Sequence, residues 1–300
     1  MLVSHIVSLY TKRDIIPTTL KSIMDQDGGF ERELILMDDN SRDDTVEVAK
    51  QTTANFPHVR IVTHTDNKGP SVRLNMGAAI AKGEYLHFLD HDDILPANAI
   101  KVMYDLLQKT GAELVYGKWD ITGKKPEELL GNRTNEEPNY SVSDKPLDVI
   151  LEGKYKRMCL LVKKELFDRA GGFDPEVFIQ DESLPLRLAN AAKRIVVTDA
   201  FVNLVPKGEG NLSNDKTQLN HDRFMAYYNF YKINKDLRVY KRAVSAAWKQ
   251  RRQMGNKYLP GVYLNWIFIN YVISRCATQG NQQLLDKMHN FFQQFKVLKP

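Results

Sequence analysis

Short apolar runs alternate with amphipathic stretches through the first part of the chain. Residues 6–10, 33–37, 59–62 and 85–89 read as strands. Residues 18–25, 41–54, 70–82 and 97–108 carry a helical period. Pro17 opens the first helix, Ser41 stands as N-cap of the second with Asp44 at the acidic capping-box position, and Gly83 closes the third. Residues 113–116 form a further strand, and residues 183–191 a later helix. Strands alternating with helices predict an α/β fold, with a Rossmann-like, mostly parallel sheet flanked by helices. Residues 122–146 are polar and rich in turn formers, which predicts a long surface loop.

Composition narrows the class. With 300 residues, 43% of them hydrophobic and 26% charged, the chain has an ordinary globular make-up. Cys159 and Cys276 lie far apart and imply neither a disulfide framework nor a zinc site, so a reducing cytoplasm is expected. The first residues lack a basic segment and a cleavage site, which predicts no signal peptide. The longest apolar stretch, residues 262–273, is too short to span a bilayer and predicts a buried or interfacial helix, or a self-association surface.

Charge divides the chain in two. Residues 216–300 hold 15 Lys and Arg against 3 Asp, a net of +12. The whole chain carries +5, which leaves −7 for residues 1–215. The expected organisation is an acidic domain over 1–214 followed by a basic, aromatic helical extension over 215–300. Tyr227, Tyr228, Phe230 and Tyr231 start that extension, among Lys232, Lys235 and Arg238. They would either pack in a core or leave a basic face for peripheral contact with an anionic membrane.

Acids gather at strand ends. Asp90-His91-Asp92-Asp93 follows the fourth strand, and Asp38-Asp39-Asn40-Ser41 the second. Ligands bind at the C-terminal ends of strands in open α/β sheets. Three acids in four residues repel one another, and hard oxygen ligands suit Mg²⁺ or Mn²⁺. A metal-bound nucleotide diphosphate follows as the first expectation; turn formation and helix capping are the bland alternative. A carboxylate of the Asp38–Ser41 stretch could accept from a ring N–H of a base such as uracil. Residues 67–75 open a helix whose free N–H groups would favour phosphate, with Lys68 or Arg73 adding charge. Asp181 and Glu182 precede a helix, where acids are stabilising without any function or could act as a general base. No G-x-G-x-x-G or G-x-x-x-x-G-K-[ST] is present, which argues against a dinucleotide-binding Rossmann protein and a P-loop NTPase.

Together these motifs resemble the family 2 glycosyltransferases of the GT-A fold. The resemblance runs over about residues 3–212. It rests on Val7 to Lys12 with Ser22 to Gln26, on Asp38 to Ser41, on Asn67 to Gly77 and on Leu89 to Asp93. Gly171 to Asp174 with Gln180 to Leu188 completes it. The resemblance implies inverting transfer from a nucleotide diphosphate sugar, foremost a UDP-sugar, to a hydroxyl of a glycan, lipid-linked or protein-linked acceptor in cell-surface polysaccharide synthesis. Asp39 would contact the base, Asp90 the ribose and metal, and Asp92 would ligate Mn²⁺ or Mg²⁺. Arg73 would face the phosphates, and Tyr10 and Lys68 would stand on the donor side. Lys207 would belong to a basic loop that closes over the donor, or be a solvated loop lysine. Asp181 would be the base, with Glu182 as a substitute. Gln180 departs from the usual Glu beside that base, which keeps a donor-binding but inactive transferase open. A nucleotidyltransferase would need a Gly in residues 10–14. An RNA-binding protein, suggested by the basic tail, is disfavoured by the acidic front, so nucleic acid is not an expected partner.

Overall fold

The computed structural model describes residues 1–153, 158–206, 215–254 and 266–293. Its centre is an eight-stranded sheet. The strands are β1 (Leu2–Leu9), β2 (Glu31–Asp38), β3 (Val59–Thr63), β4 (Tyr85–Leu89), β5 (Leu114–Ile121), β6 (Tyr140–Ser143), β7 (Leu160–Lys163) and β8 (Ile195–Val205). They stand in the order β3-β2-β1-β4-β7-β5-β8-β6. The β3-β2-β1-β4 half is parallel throughout, as its βαβ connections require. β7 runs antiparallel to both β4 and β5, β8 parallel to β5, and β6 antiparallel to β8.

Helices cover both faces. They are α1 (Ile16–Met24), α2 (Thr45–Thr53), α3 (Pro70–Ile80), α4 (Ala99–Thr110), α5 (Pro146–Glu152), α6 (Lys164–Ala170), α7 (Leu184–Ala191), α8 (Lys216–Ile233) and α9 (Leu237–Gln253). Helices Trp266–Arg275 and Gln282–Gln293 follow. The period-two alternation of the strands sorts side chains between two cores. Val3, Val7, Leu34, Leu36 and Leu89 pack under α1 and α4. Ile6, Ile35, Met37, Leu86 and Phe88 face the other way, toward α3 and α7. Gly77 lets α3 lie close on β1, since a Cβ there would come 2.5 Å from Ile6.

The second core continues into the C-terminal helices. Phe224, Tyr228, Tyr231, Tyr240, Trp248, Leu285 and Phe292 are buried in the same cluster as Phe88 and Phe173. These residues of the extension therefore pack inward. The expected 214/215 boundary falls beside residues 207–214, outside the described residues. In the helix Trp266–Arg275, Ile269, Val272 and Ile273 are exposed. Among the described residues no helix is long and apolar enough to cross a membrane.

Two expectations need correction. Residues 122–146 are not a continuous loop: they contain a 3₁₀ turn (Pro126–Leu129) and the edge strand β6. β6 pairs on one side only and is mostly exposed, so its sequence, Tyr-Ser-Val-Ser, carries little apolar signal. Ser41 does not cap α2. That helix starts at Thr45 after Asp44, which makes no side-chain cap bond.

Candidate active site

The C-terminal ends of β1 and β2 turn away through left-handed residues, Thr11 (φ 49°) and Asn40 (φ 65°). Hydroxyls lace the two turns together. Thr11 N donates to Ser41 Oγ at 3.0 Å, Arg42 N to Thr11 Oγ1 at 3.2 Å, and Lys12 N to Thr45 Oγ1 at 2.8 Å. Ser41 thus holds the Tyr10–Lys12 turn in place, and Tyr10 keeps an exposed ring beside the cleft.

Asp39 organises the next loop. Its Oδ1 accepts from Lys68 N at 2.8 Å and Arg73 Nε at 2.7 Å, and its Oδ2 from Gly69 N at 2.8 Å. Two of the N–H groups expected to be free for phosphate are therefore taken by a carboxylate. Arg73, expected to face phosphates, is 1% exposed and spends its other nitrogens on Asp66 and Met76. The pull of α3 toward the sheet buries it. Lys68 Nζ pairs with Asp66 at 3.1 Å on the surface.

The acid cluster splits by direction. Asp93 is buried and accepts from Asn203 Nδ2 at 3.2 Å, while Ile94 and Leu204 exchange backbone bonds of 2.9 and 2.8 Å. This clips the loop to β8. Asp90 and Asp92 border the cleft instead. Asp92 faces Lys12 Nζ at 3.6 Å, and Asp90 Oδ1 accepts from Gln180 Nε2 at 2.6 Å.

The third wall comes from the Gly171–Glu182 segment. Gly172 (φ 64°) has no room for a Cβ, which would come 2.4 Å from Asn75 Oδ1. Asn75 and Phe173 exchange bonds of 2.9 Å each way, tying this turn to α3. Residues Gln180–Glu182 form a single 3₁₀ turn ahead of α7. Helix α8 pins both ends of that turn. Asp222, fully buried, accepts from Ile179 N at 2.7 Å, and Arg223 Nε reaches Glu182 at 2.9 Å. Asp181, between these anchors, lines the cleft. It also borders a smaller recess with Tyr227 and Arg242. Below it the Tyr116 hydroxyl is held well above its ordinary pKa by burial, with Cys159 and Asp181 adding to the effect.

The resulting cleft measures about 440 Å³ and brings Tyr10, Asp39, Asp90, Asp92 and Asp181 together. Lys68 and Arg73 are not among its lining residues. Lys207 lies outside the described residues. Sequence reasoning did not single out Trp119, Phe178, Leu219 and Arg223 as cleft residues. Leu219 and Arg223 sit on α8, where nothing in a helical repeat marks them.

Among the described residues no three His, Cys, Asp or Glu side chains form a cluster that could hold a metal ion. The donor set still fits a hard cation of another kind. Mg²⁺-type ions are commonly held by one or two carboxylates plus substrate phosphates, and Asp90 and Asp92 supply two carboxylates on the cleft.

Known structures share this architecture. Staphylococcus aureus TarS residues 1–349, solved with UDP-GlcNAc, superposes with a TM-score of 0.68 at 17% identity, over 97% of this chain and 88% of that one. The mannosyltransferase PcManGT from Pyrobaculum calidifontis, solved with GDP-Man and Mn²⁺, gives 0.57 at 18% identity, over 98% and 81%. Both likenesses establish the GT-A fold. The poly(ribitol-phosphate) beta-glucosyltransferase of Bacillus spizizenii is 29% identical over 138 residues, 45% of this chain and 22% of that protein. This chain spans between 22% and 39% of the length of four such curated relatives. The model of glycosyl transferase family 2 matches residues 4–169, more than half of the chain, and it is to this family that the chain belongs.

Proposed function

We propose that this chain is an inverting glycosyltransferase that moves a sugar from a UDP-sugar to a hydroxyl of a cell-surface polysaccharide acceptor, glycan or lipid- or protein-linked. The observation that carries the reading is one cleft shared by the strand-end acids Asp90 and Asp92 and by Asp181. Support for the nucleotide comes from the fold neighbour solved with UDP-GlcNAc, and for the acceptor class from the poly(ribitol-phosphate) relative.

Asp39 has room for a base. A carboxylate offers about four acceptor positions, and three are filled by Lys68 N, Gly69 N and Arg73 Nε. The remaining one can take a ring N–H such as that of uracil. Asp92 and Asp90 would hold Mn²⁺ or Mg²⁺, which when bound offsets the charge growing on the diphosphate leaving group. Asp181 removes the proton of the acceptor hydroxyl as its oxygen attacks the anomeric carbon opposite the leaving group. Glu182 is a poorer base, because Arg223 holds it at 2.9 Å in a charge-assisted bond. Attack from the far side inverts the anomeric centre.

Calorimetry of UDP binding tests this reading, with Mn²⁺ and then with EDTA, on wild type and Asp92→Ala. Metal-dependent binding that weakens about ten-fold or more in the variant is expected. Equal heats with EDTA, or in the variant, would remove Asp92 from the metal. No binding of UDP, GDP or dTDP would overturn the assignment.

A further inference from the structure

Residues 237–285 form a run of 49 that holds eight Lys and Arg and no Asp or Glu, in a chain with 37 acids among 300 residues. The three acids of residues 216–300 flank this run and are engaged elsewhere. Asp222 is buried, Asp236 pairs with Arg238 at 2.6 Å, and Asp286 accepts from the Tyr228 hydroxyl at 3.0 Å. Within the run, the helix Trp266–Arg275 is apolar on two opposite sides. On the inner side Ile267 is fully buried, and the rings of Phe268 and Tyr271 lie 4.9 and 6.4 Å from that of Trp248 on α9. The outer side carries Ile269, Val272 and Ile273, which are 50%, 48% and 61% exposed. Their spacing of three and four residues sets them on one face, as a stripe rather than as scattered apolar residues. Cations frame the stripe. Arg275 is exposed in the last turn of the helix, and Lys241 Nζ donates to Arg275 O at 3.2 Å. Lys249 and Arg252 are exposed on α9, one and four residues beyond Trp248.

We infer that the outer face of the helix Trp266–Arg275 seats on the surface of an anionic lipid bilayer. A helix that is apolar all round is ordinarily covered on every side, and here one side is left to water. The charge around that side selects the cover. A second copy of this chain would bring one basic extension of net +12 against another, and like charges at close range repel. A nucleic acid would match the cations with its phosphates and leave Ile269, Val272 and Ile273 in water. An anionic bilayer answers both features. Its acyl boundary takes up the three aliphatic side chains, and its headgroups meet Arg275, Lys241, Lys249 and Arg252. Such a helix lies in the plane of the interface and does not cross it, which fits its ten residues. The inference stands apart from the choice of sugar nucleotide in the cleft. It adds a lipid surface as a partner of the chain and assigns the contact to named residues.

Vesicle co-sedimentation of the full chain tests this, with phosphatidylcholine alone and with an equal mixture of phosphatidylglycerol and phosphatidylcholine. Wild type should sediment with the mixture, more weakly at high salt, and hardly with phosphatidylcholine. Ile269→Ser/Val272→Ser/Ile273→Ser should weaken binding about ten-fold or more, since three aliphatic side chains no longer leave water. Lys249→Gln/Arg252→Gln should weaken it about five-fold for each charge removed. All five side chains are exposed, so melting temperatures should stay near wild type. A readout on the unsubstituted chain accompanies the variants. A polarity-sensitive fluorophore on Cys276, exposed just beyond the helix while Cys159 is buried, should shift to the blue with the anionic vesicles. No sedimentation with the mixture and no shift would overturn the inference, as would a triple variant that binds like wild type. Equal binding to both vesicles, insensitive to salt, would remove the anionic requirement and overturn it as stated. Retention of single-stranded RNA without vesicle binding would assign the basic surface to nucleic acid instead. A dimer in analytical ultracentrifugation that the triple variant dissolves, again without vesicle binding, would give the face to a second copy.

Discussion

Asp39 and Arg73 form a buried ion pair, Oδ1 to Nε at 2.7 Å, at the edge of the cleft. The pair joins the end of β2 to α3 and sets the direction of the one carboxylate position left for a ligand. Breaking a buried pair from one side leaves an uncompensated charge, which typically costs about 3–5 kcal/mol. Arg73→Met should lose stability of that order in urea unfolding and weaken UDP binding with it, because Asp39 is no longer aimed. Lys68→Ala should do neither, since among the described residues its side chain pairs with exposed Asp66 alone. Comparable losses in both variants would mean that charge near the cleft matters more than this strut.

Asp181 and Glu182 are adjacent in sequence and different in situation. Asp181 lines the cleft between two anchors, whereas Glu182 is itself one of the anchors. Asp181→Asn should lower kcat about 10²–10⁴-fold while UDP affinity and melting temperature stay near wild type. Glu182→Gln should cost much less in kcat. A Glu182 variant as inactive as the Asp181 variant would reassign the base.

The C-terminal helices are predicted to be needed for catalysis through α8. Asp222 is buried and gathers Ile179 N, Gln218 Nε2 at 2.8 Å and His221 Nδ1 at 3.0 Å. Asp222→Ala orphans those donors, so a stability loss of about 1–3 kcal/mol is expected. The turn that carries Gln180 and Asp181 loosens at the same time. The kinetic signature should be a fall in kcat with little change in UDP affinity, because the Asp39 side of the cleft is held separately. A chain ending at residue 214 should fail to fold, because Phe224, Tyr228 and Trp248 belong to the core that holds Phe88. A stable, nucleotide-binding truncation would show the extension to be an independent module.

The parallel half of the sheet was legible because its strands carry short apolar runs spaced by helical stretches, with acids at the ends of β2 and β4. The site was legible to the same depth. Asp39, Asp90, Asp92 and Asp181 sit at strand ends or turns, and the cleft forms where those ends converge. What escaped was direction. Nothing local tells whether Arg73 points to a ligand or inward, because its partner Asp39 is 34 residues away and meets it only through packing. The same holds for Asp93, which looks like a third cleft acid and is turned to Asn203 on β8. Arg223 and Leu219 were silent for a related reason: their importance comes from docking α8 against the turn at Gln180–Glu182. Strand β6 escaped because an exposed edge strand lacks the alternation that burial imposes.

His5 and His87 lie side by side on β1 and β4, fully buried, with their Nδ1 atoms 3.3 Å apart. As a neutral pair, one Nδ1–H donates to the other Nδ1. Burial lowers the pKa of His87 to about 3. Burial also holds His5 well below its ordinary value, with His87 and Arg32 repelling a proton further. In the unfolded chain each imidazole takes up a proton below about pH 6.5. The unfolded state therefore binds more protons below that pH, and stability is present above it and lost as pH falls toward the folded values. Each histidine contributes up to about 1.4 kcal/mol per pH unit in that window. Urea unfolding between pH 7.5 and 5 reads this slope before most carboxylates titrate. His5→Leu/His87→Leu should flatten it by up to about 2.7 kcal/mol per pH unit, while leaving stability above pH 7 equal or higher. His289 is also lowered, chiefly by burial, and stays in both proteins, so the difference between them isolates the pair. An unchanged slope in the double variant would mean that other groups set the acid limit of this fold.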